Sequence, residues 1–214
     1  MPISHSHKCV FVHIPRTSGT STEQLLGMRN ENNTVDQKKL YGKIPSQLKQ
    51  KLSCCSNYYQ HLTWREITQI SDPRVIETYS SFAVIRNPWD RLVSCYFNMD
   101  PDLVCCAREK GIELEGKSFS EFVEVVENIN HVHLLAQYEF VKANSSGRDL
   151  DRVFRFESLS EYIRFLWGGL GKETPYPNLK STGRLHYREY YDVELRERVA
   201  VRYKQDIELF GYEF

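Results

Sequence analysis

Short apolar runs along the chain are separated by longer stretches in which apolar residues recur at helical spacing. Three of these runs, residues 9–14, 81–85 and 152–156, are rich in β-branched and aromatic side chains. That composition is typical of strands, because such side chains pack well on a pleated surface. We therefore predict three strands at these positions.

The stretches between and after the strands predict helices. Apolar residues at helical spacing mark residues 61–70, 119–126, 134–141, 159–167 and 193–210, and the glycines within 168–171 interrupt the pattern. Pro88 follows the second strand, and proline is favoured in the first turn of a helix. Strands that alternate with helices predict an α/β fold in three layers, with a central, mainly parallel sheet flanked by helices.

No internal repeat, low-complexity tract or Gly/Ser linker divides the sequence. A chain of 214 residues is long enough to form one domain with its own core. We therefore expect a single domain over residues 1–214. Residues 1–8 are expected to form a flexible terminus, because chain ends fray unless other segments hold them.

Basic and acidic residues are equal in number, so the formal net charge at pH 7 is zero. Proteins that coat nucleic acid carry a basic excess, so we expect no nucleic-acid partner.

No apolar run approaches the roughly 20 residues that span a bilayer, and no signal-peptide pattern opens the chain. These features favour a cytoplasmic protein, with a lumenal catalytic domain of a longer membrane-anchored protein as the alternative. No cysteines form a C-x-x-C pair, and no metal is expected.

Residues 15–21 have the composition of an anion-binding loop. The loop leaves a strand and opens a helix, whose N-terminal N–H groups and dipole favour negative charge. Glycine lets a phosphate approach the backbone, while hydroxyls and a guanidinium donate to its oxygens. The candidate contacts are Arg16, Thr17, Ser18, Gly19, Thr20 and Ser21. The Walker pattern G-x-x-x-x-G-K-[ST] is absent, and an ordinary capped turn is the alternative interpretation.

A second motif, residues 84–94, follows the second predicted strand. Arg86 stands at the strand end, where the ligand clefts of α/β folds open, and Ser94 lies two helical turns later. These two side chains suit a second phosphate group. Arg91 has either a role there or a surface ion pair, whereas Trp89 is expected in the core.

The two motifs, in this order, resemble those of sulfotransferases that use 3′-phosphoadenosine 5′-phosphosulfate (PAPS). Residues 14–21, I-P-R-T-S-G-T-S, are similar to the 5′-phosphosulfate loop of that family, usually written I-P-K-T-G-G-T-S. Residues 84–94, V-I-R-N-P-W-D-R-L-V-S, are similar to its 3′-phosphate motif. The resemblance is closest to the branch of heparan-type 2-O-sulfotransferases and bacterial carbohydrate sulfotransferases.

The resemblance implies a P-loop-like fold, PAPS as the sulfuryl donor and PAP as its product. Residues 16–21 would hold the 5′-phosphosulfate, and Arg86 with Ser94 would hold the 3′-phosphate. A polar loop in which such enzymes close over the nucleotide supplies three weaker candidates, with a solvated turn as the alternative: Ser181, Thr182 and Arg184. The acceptor would be a hydroxyl group of a glycan, a tyrosine or a small alcohol or phenol.

The acceptor hydroxyl must lose its proton, and His61 is the candidate base. Its position resembles that of the catalytic histidine in the same branch, and neutral imidazole suits the role near pH 7. A histidine used only in packing or at the surface is the alternative. Glu66 is the reserve base, since some sulfotransferases use a carboxylate. His13 is a poorer candidate, because strand alternation is expected to bury it.

Arg16 stands where the family usually has lysine. Arginine stays protonated, so it can stabilise the leaving phosphate but cannot donate a proton to it. Two other functions remain open. An ATP-dependent P-loop-like kinase is disfavoured by the missing Walker lysine, and a non-catalytic nucleotide-binding protein is favoured by the arginine in the loop.

Overall fold

The computed structural model of the protein describes residues 3–28, 42–52, 55–143, 147–171, 173–177 and 183–214. Its residues group into two units that are interleaved in sequence. The sheet unit comprises Met1–Ile85 and Glu139–Ser181, and the helical unit comprises Arg86–Tyr138 and Thr182–Phe214. That the whole chain acts as a single domain stays a prediction.

The strands and helices have the following bounds. The strands are β1 (Ile3–Ser4), β2 (Cys9–Val12), β3 (Ser80–Ile85) and β4 (Arg152–Arg155). The helices are α1 (Gly19–Leu25), α2 (Ser46–Leu52), α3 (Trp64–Ile70), α4 (Pro73–Thr78), α5 (Pro88–Phe97), α6 (Pro101–Glu109), α7 (Phe119–Val126), α8 (Gln137–Val141), α9 (Leu159–Leu170), α10 (Val193–Arg202) and α11 (Lys204–Phe210). Within the described ranges, no helix has both the length and the apolar content needed to cross a membrane.

The four strands form one mixed sheet in the order β1-β2-β3-β4. Strand β3 pairs in parallel with both of its neighbours: Phe82 is opposite Phe11 in β2 and opposite Arg152 in β4. Strand β1 runs antiparallel to β2. The prediction of an α/β fold with a mainly parallel central sheet is therefore confirmed, and the three predicted strands are found within two residues of their expected ends.

Aromatic side chains form the core of the sheet unit. Phe11 and Phe82 lie with ring centroids 5.3 Å apart, and Phe154 belongs to the same buried cluster. Tyr162 and Leu166 of α9 pack into that cluster, so α9 covers this face of the sheet. Residues at the alternate positions of β2 and β3 are also fully buried, so the other face of the sheet is covered as well.

Part of the segment expected to form a flexible terminus, residues 1–8, lies in the sheet. Ile3 pairs with Val10 and Ser4 pairs with Cys9, which adds β1 to the edge of the sheet. Both residues of β1 are buried, Ile3 being 8% exposed. Backbone pairing and the burial of Ile3 hold this segment, and a two-residue strand has too little periodicity to be recognised in a sequence.

The helix predicted over residues 61–70 is shorter than expected and does not contain His61. Thr63 caps α3: its hydroxyl accepts from the Glu66 N–H, while a Glu66 carboxylate oxygen accepts from the Thr63 N–H. This reciprocal pair starts the helix at Trp64. His61 instead ends a short 3-10 turn, Tyr59–His61.

Two helix ends also differ from the predictions. The glycine-rich stretch 168–171 does not interrupt α9, which continues to Leu170 and stops at Gly171 with a φ of 68°. The single helix predicted over residues 193–210 is divided at Tyr203, whose φ of −107° and ψ of 28° break the helical path between α10 and α11. Apolar periodicity continues through such a break, so the sequence alone did not reveal it.

Candidate functional site

The loop after β2 places two residues other than glycine in the left-handed backbone region. Strand β2 ends at Val12, and α1 begins at Gly19. Arg16 has a φ of 70° and Ser18 a φ of 75°. For residues with a Cβ atom this conformation costs about 1–2 kcal/mol, so the surrounding contacts must maintain it.

Gly19 is required by its contact with His13. A Cβ atom added at Gly19 would lie 1.9 Å from His13 Nε2 and 2.0 Å from His13 Cδ2. The His13 ring is 4% exposed and stacks on Phe11 at a centroid distance of 5.6 Å. The glycine therefore makes room for a buried imidazole at the start of α1. It does not itself adopt a positive φ.

The His13 ring is held by a buried carboxylate. His13 Nδ1 donates to Glu23 Oε1, and Glu23, in α1, is fully buried. Gln60 Nε2 donates to both Glu23 carboxylate oxygens, at 2.9 Å each. A buried carboxylate needs such partners, because leaving it without hydrogen bonds would be costly. Glu23 thus connects the end of β2, through His13, with the turn that carries His61.

His61 lies beside His13, and its hydrogen bond selects one tautomer. His61 Nδ1 is 3.0 Å from the His13 carbonyl oxygen. A carbonyl oxygen only accepts, so Nδ1 carries the proton and the lone pair of the neutral ring is on Nε2. The two imidazole rings meet edge to face, with centroids 4.6 Å apart. This is the tautomer that a base acting through Nε2 requires.

Two of the loop hydroxyls form hydrogen bonds within the protein. Thr17 is fully buried, and its hydroxyl donates to the Ile14 carbonyl oxygen at 2.9 Å. Ser18 Oγ lies 2.7 Å from the Tyr176 hydroxyl. Because the single hydroxyl proton of Thr17 is used internally, the Thr17 side chain cannot also donate to a phosphate.

One fully buried tyrosine, Tyr162, and one partly buried tyrosine, Tyr176, form hydrogen bonds with the loop and with the helix that follows it. The Tyr162 hydroxyl is 2.6 Å from Thr22 Oγ1, and the Tyr176 hydroxyl donates to the Ser18 carbonyl oxygen at 3.2 Å. Burial raises the pKa of both phenols. Both hydroxyls therefore stay protonated at neutral pH and keep their ability to donate.

The reserve base Glu66 has a structural task. Its Oε2 accepts from the Thr63 N–H at 2.7 Å and from the Thr63 hydroxyl at 2.8 Å. Burial, as the largest influence, raises the pKa of the Glu66 carboxyl despite these bonds. The Glu66 carboxylate is engaged in capping α3, so His61 is the better candidate base.

In the helical unit, two residues predicted to contact the nucleotide converge on one carboxylate. Arg86 Nε and Arg86 Nη2 each lie 2.8 Å from Asp90 Oδ2. Arg184 Nη2 donates to the other oxygen, Asp90 Oδ1. The three side chains are 11–15% exposed. Asp90 offsets the repulsion between two guanidinium groups, which form a cluster suited to a phosphate.

Ser94 lies one helical turn after Asp90 in α5 and is 5% exposed. Residues four apart share a helix face, so Ser94 is on the side of α5 that carries Asp90. Arg91, by contrast, is 2% exposed and donates to the carbonyl oxygens of Leu135 and His133. Arg91 is therefore a structural residue of the helical unit and not a surface ion pair.

Comparison of the sequence with models of known protein families gives a match that covers nearly the whole chain. The family model described as "Sulfotransferase family" matches residues 1–213. The chain belongs to the sulfotransferase family. No curated protein and no solved structure matched the chain. Sulfuryl transfer is the general activity that family membership supports.

As a sulfotransferase, the chain departs from the usual loop pattern at the two residues with positive φ. Arginine replaces the usual lysine at Arg16, and serine replaces the first of two glycines at Ser18. Glycine adopts this backbone region without a Cβ penalty. At Ser18 the bonds to Tyr176 help to hold a conformation that glycine would adopt on its own.

Sequence reasoning missed the residues that support the predicted ligands. Glu23 and Gln60 around His13, Tyr176 beneath the loop, and Asp90 between the arginines had no assigned role. Only Asp90 left a local signal, since it lies four residues after Arg86 at the start of a predicted helix. Ser181 and Thr182 lie outside the described residues. In the part of the chain that the structure describes, no cluster of three or more His, Cys, Asp or Glu could hold a metal.

Replacing Gly19 with alanine should destabilise the fold because the new methyl group would overlap the His13 ring. We expect Gly19→Ala to lower the free energy of unfolding by about 1–3 kcal/mol in urea titrations. Gly169→Ala is the matched control: it lies within α9 with open space around an added Cβ, so it should stabilise by about 1 kcal/mol.

A double-mutant cycle tests whether overlap with the His13 ring causes the loss of stability in Gly19→Ala. In a His13→Ala background the penalty of Gly19→Ala should largely disappear, because the overlapping ring is gone. An equal penalty in both backgrounds would show that His13 is not the reason for glycine at this position.

Proposed function

We propose that this sulfotransferase uses PAPS and transfers its sulfuryl group to a hydroxyl acceptor by in-line displacement. Residues 16–21 of the sheet unit bind the 5′-phosphosulfate. Arg86, Ser94 and Arg184 of the helical unit bind the 3′-phosphate, and the loop containing Ser181 and Thr182 contributes to the same nucleotide. His61 takes the acceptor proton. The motif resemblance favours a carbohydrate hydroxyl over a tyrosine or a small alcohol or phenol.

The observation that supports this proposal most is the meeting of Arg86 and Arg184 on Asp90. The two arginines come from distant parts of the sequence: Arg86 is the residue assigned to the 3′-phosphate, and Arg184 was assigned only to the loop that closes over the nucleotide. Even with the Asp90 carboxylate included, the two guanidinium groups leave a net positive charge, and guanidinium N–H groups suit phosphate oxygens. ATP has no 3′-phosphate, so this cluster favours PAPS over ATP as the nucleotide.

The proposed reaction is a single displacement at sulfur. The acceptor oxygen forms a bond to sulfur, and the bond from sulfur to the 5′-phosphate oxygen breaks, which releases PAP. His61 Nε2 accepts the acceptor proton as the new bond forms. Catalysis then rests on positioning and on stabilising the charge that develops on the leaving phosphate, as in phosphoryl transfer.

Arg16 has the leaving phosphate as its proposed partner. It is half-buried, and its backbone is fixed in the left-handed region. Its guanidinium stays protonated at every physiological pH, so it contributes charge without donating a proton. The leaving PAP therefore departs as an anion, which the arginine and the N–H groups of the loop stabilise.

Nucleotide binding distinguishes the proposal from its alternatives. Titration calorimetry should show that PAP binds and that ATP with Mg²⁺ binds far more weakly, because only PAP carries a 3′-phosphate for the arginine pair. Tight binding of ATP–Mg²⁺ without binding of PAP would instead indicate a kinase. Binding of PAP without transfer of labelled sulfate to any acceptor in a broad screen would indicate a non-catalytic binding protein.

Removing the base should reduce turnover without weakening the binding of the donor. We expect His61→Ala to lower the rate of sulfate transfer by about 10²- to 10⁴-fold, the typical contribution of a general base, while PAP affinity stays unchanged. His5→Ala is the control, since His5 is exposed and lies outside both candidate sites. Full activity of His61→Ala would exclude His61 as the base.

The loop arginine can be tested by its charge. Arg16→Ala should lower the transfer rate by about 10²- to 10³-fold, as expected for the loss of one donor to a developing oxyanion, and Arg16→Lys should retain most of the rate. Arg65→Ala, an exposed arginine on α3, provides the matched control. If Arg16→Ala and Arg16→Lys both kept the full rate, the electrostatic role of Arg16 would be ruled out.

A further inference from the structure

The backbone of Arg86 is held by one side chain outside the sheet. Strand β3 ends at Ile85, so the peptide groups of Arg86 lie beyond its ladder. The Arg86 N–H donates to Gln137 Oε1 at 2.8 Å, and Gln137 Nε2 donates to the Arg86 carbonyl oxygen at 2.7 Å. The amide of Gln137 thus satisfies both backbone polar groups of a single residue, as a neighbouring strand would do.

Gln137 is itself fixed by a buried carboxylate of α11. Asp206 accepts from the Gln137 N–H at 2.9 Å and from the Tyr138 N–H at 2.7 Å, at the start of α8. A longer contact of 3.5 Å joins Gln137 Nε2 to Asp206. Gln137 and Asp206 are both 0% exposed. Burial raises the pKa of Asp206, and the two backbone N–H groups oppose that shift.

The side chain of Arg86 is held separately, by Asp90. Arg86 is therefore fixed at both ends: Gln137 holds its peptide groups, and Asp90 holds its guanidinium. A bidentate guanidinium contact depends strongly on orientation, and a displacement of about 1 Å is enough to weaken such a contact severely. An arginine that lies outside regular secondary structure needs these additional contacts to keep one orientation.

We propose that Gln137 is a positioning residue for nucleotide recognition, which aligns Arg86 for the 3′-phosphate and so sets the preference for a 3′-phosphorylated adenine nucleotide. This inference rests on the proposed function, because it assigns the 3′-phosphate to Arg86. Gln137 acts through Arg86 and does not itself touch the ligand. A purely structural glutamine would stabilise the fold without affecting the preference of the folded protein for a 3′-phosphate.

The test compares PAP with AMP, which lacks only the 3′-phosphate, by titration calorimetry on the full chain. Gln137→Met keeps the size of the side chain and removes both hydrogen bonds to Arg86. We expect PAP affinity to fall about 10- to 100-fold, the range for losing well-oriented hydrogen bonds to a charged group, while AMP affinity changes less than about twofold. Gln69→Met, an exposed glutamine on α3, should leave both affinities unchanged.

A double-mutant cycle tests whether the effect passes through Arg86. Arg86→Met removes the contribution of Arg86 to 3′-phosphate recognition, and adding Gln137→Met to it should weaken PAP binding no further. If Gln137→Met does not fold, Gln137→Asn serves instead: it stays neutral beside the buried Asp206 carboxylate and is one methylene shorter, which withdraws its amide from the Arg86 peptide groups, so it should lower PAP affinity in the same selective way.

The outcomes separate this inference from the proposed function. If the unaltered protein binds PAP no more tightly than AMP, the assignment of a 3′-phosphate site is wrong, and the inference fails with it. If the unaltered protein prefers PAP but the Gln137 variants keep that preference, or lose PAP and AMP affinity equally, the proposed function stands and Gln137 is only structural. Additive losses in the double variant would likewise overturn the positioning role.

Discussion

The packing of the His13 imidazole against Gly19 is the contact on which the sheet unit's candidate site depends. It brings the end of β2 so close to the start of α1 that no side chain fits at Gly19. The same residue binds Glu23 through its ring and His61 through its carbonyl oxygen. One residue thus determines where the loop turns and which tautomer the candidate base adopts. His13, the poorer candidate for the catalytic base, is thus the residue that positions the groups around it.

The helical unit follows a similar principle with different groups. Buried or nearly buried carboxylates hold the residues of the candidate site: Asp206 holds Gln137, which in turn holds the backbone of Arg86, and Asp90 holds the side chains of Arg86 and Arg184. Each carboxylate is stabilised by N–H donors, which offset the cost of removing its charge from water. Both units therefore use carboxylates to orient residues at the candidate site: Glu23 orients His13 in the sheet unit, and Asp90 orients Arg86 and Arg184 in the helical unit.

The sequence predicts the elements better than it predicts the contacts between them. The strands containing Phe11, Phe82 and Phe154 were found because buried strands leave apolar runs that can be recognised locally. The capping box at Thr63 and Glu66 was also legible, but a continuous helical pattern from His61 obscured it. Arg86 was recognised from its place at a strand end and Arg184 only through family resemblance, and their meeting on Asp90 was not predicted. The hydrogen bonds of Gln137 to Arg86 and Asp206 had no local signal at all, because these three residues lie far apart in sequence.

The register of the sheet has a consequence for how the protein folds. Phe82 pairs with Phe11 on one side and with Arg152 on the other, so each parallel pairing closes a very long loop. Such closures lose much chain entropy before they gain any contacts, and folds rich in them form slowly. During synthesis the sheet cannot be completed until β4 has left the ribosome. Until then the apolar faces of β2 and β3 are not fully covered, and exposed apolar strands of this kind favour aggregation.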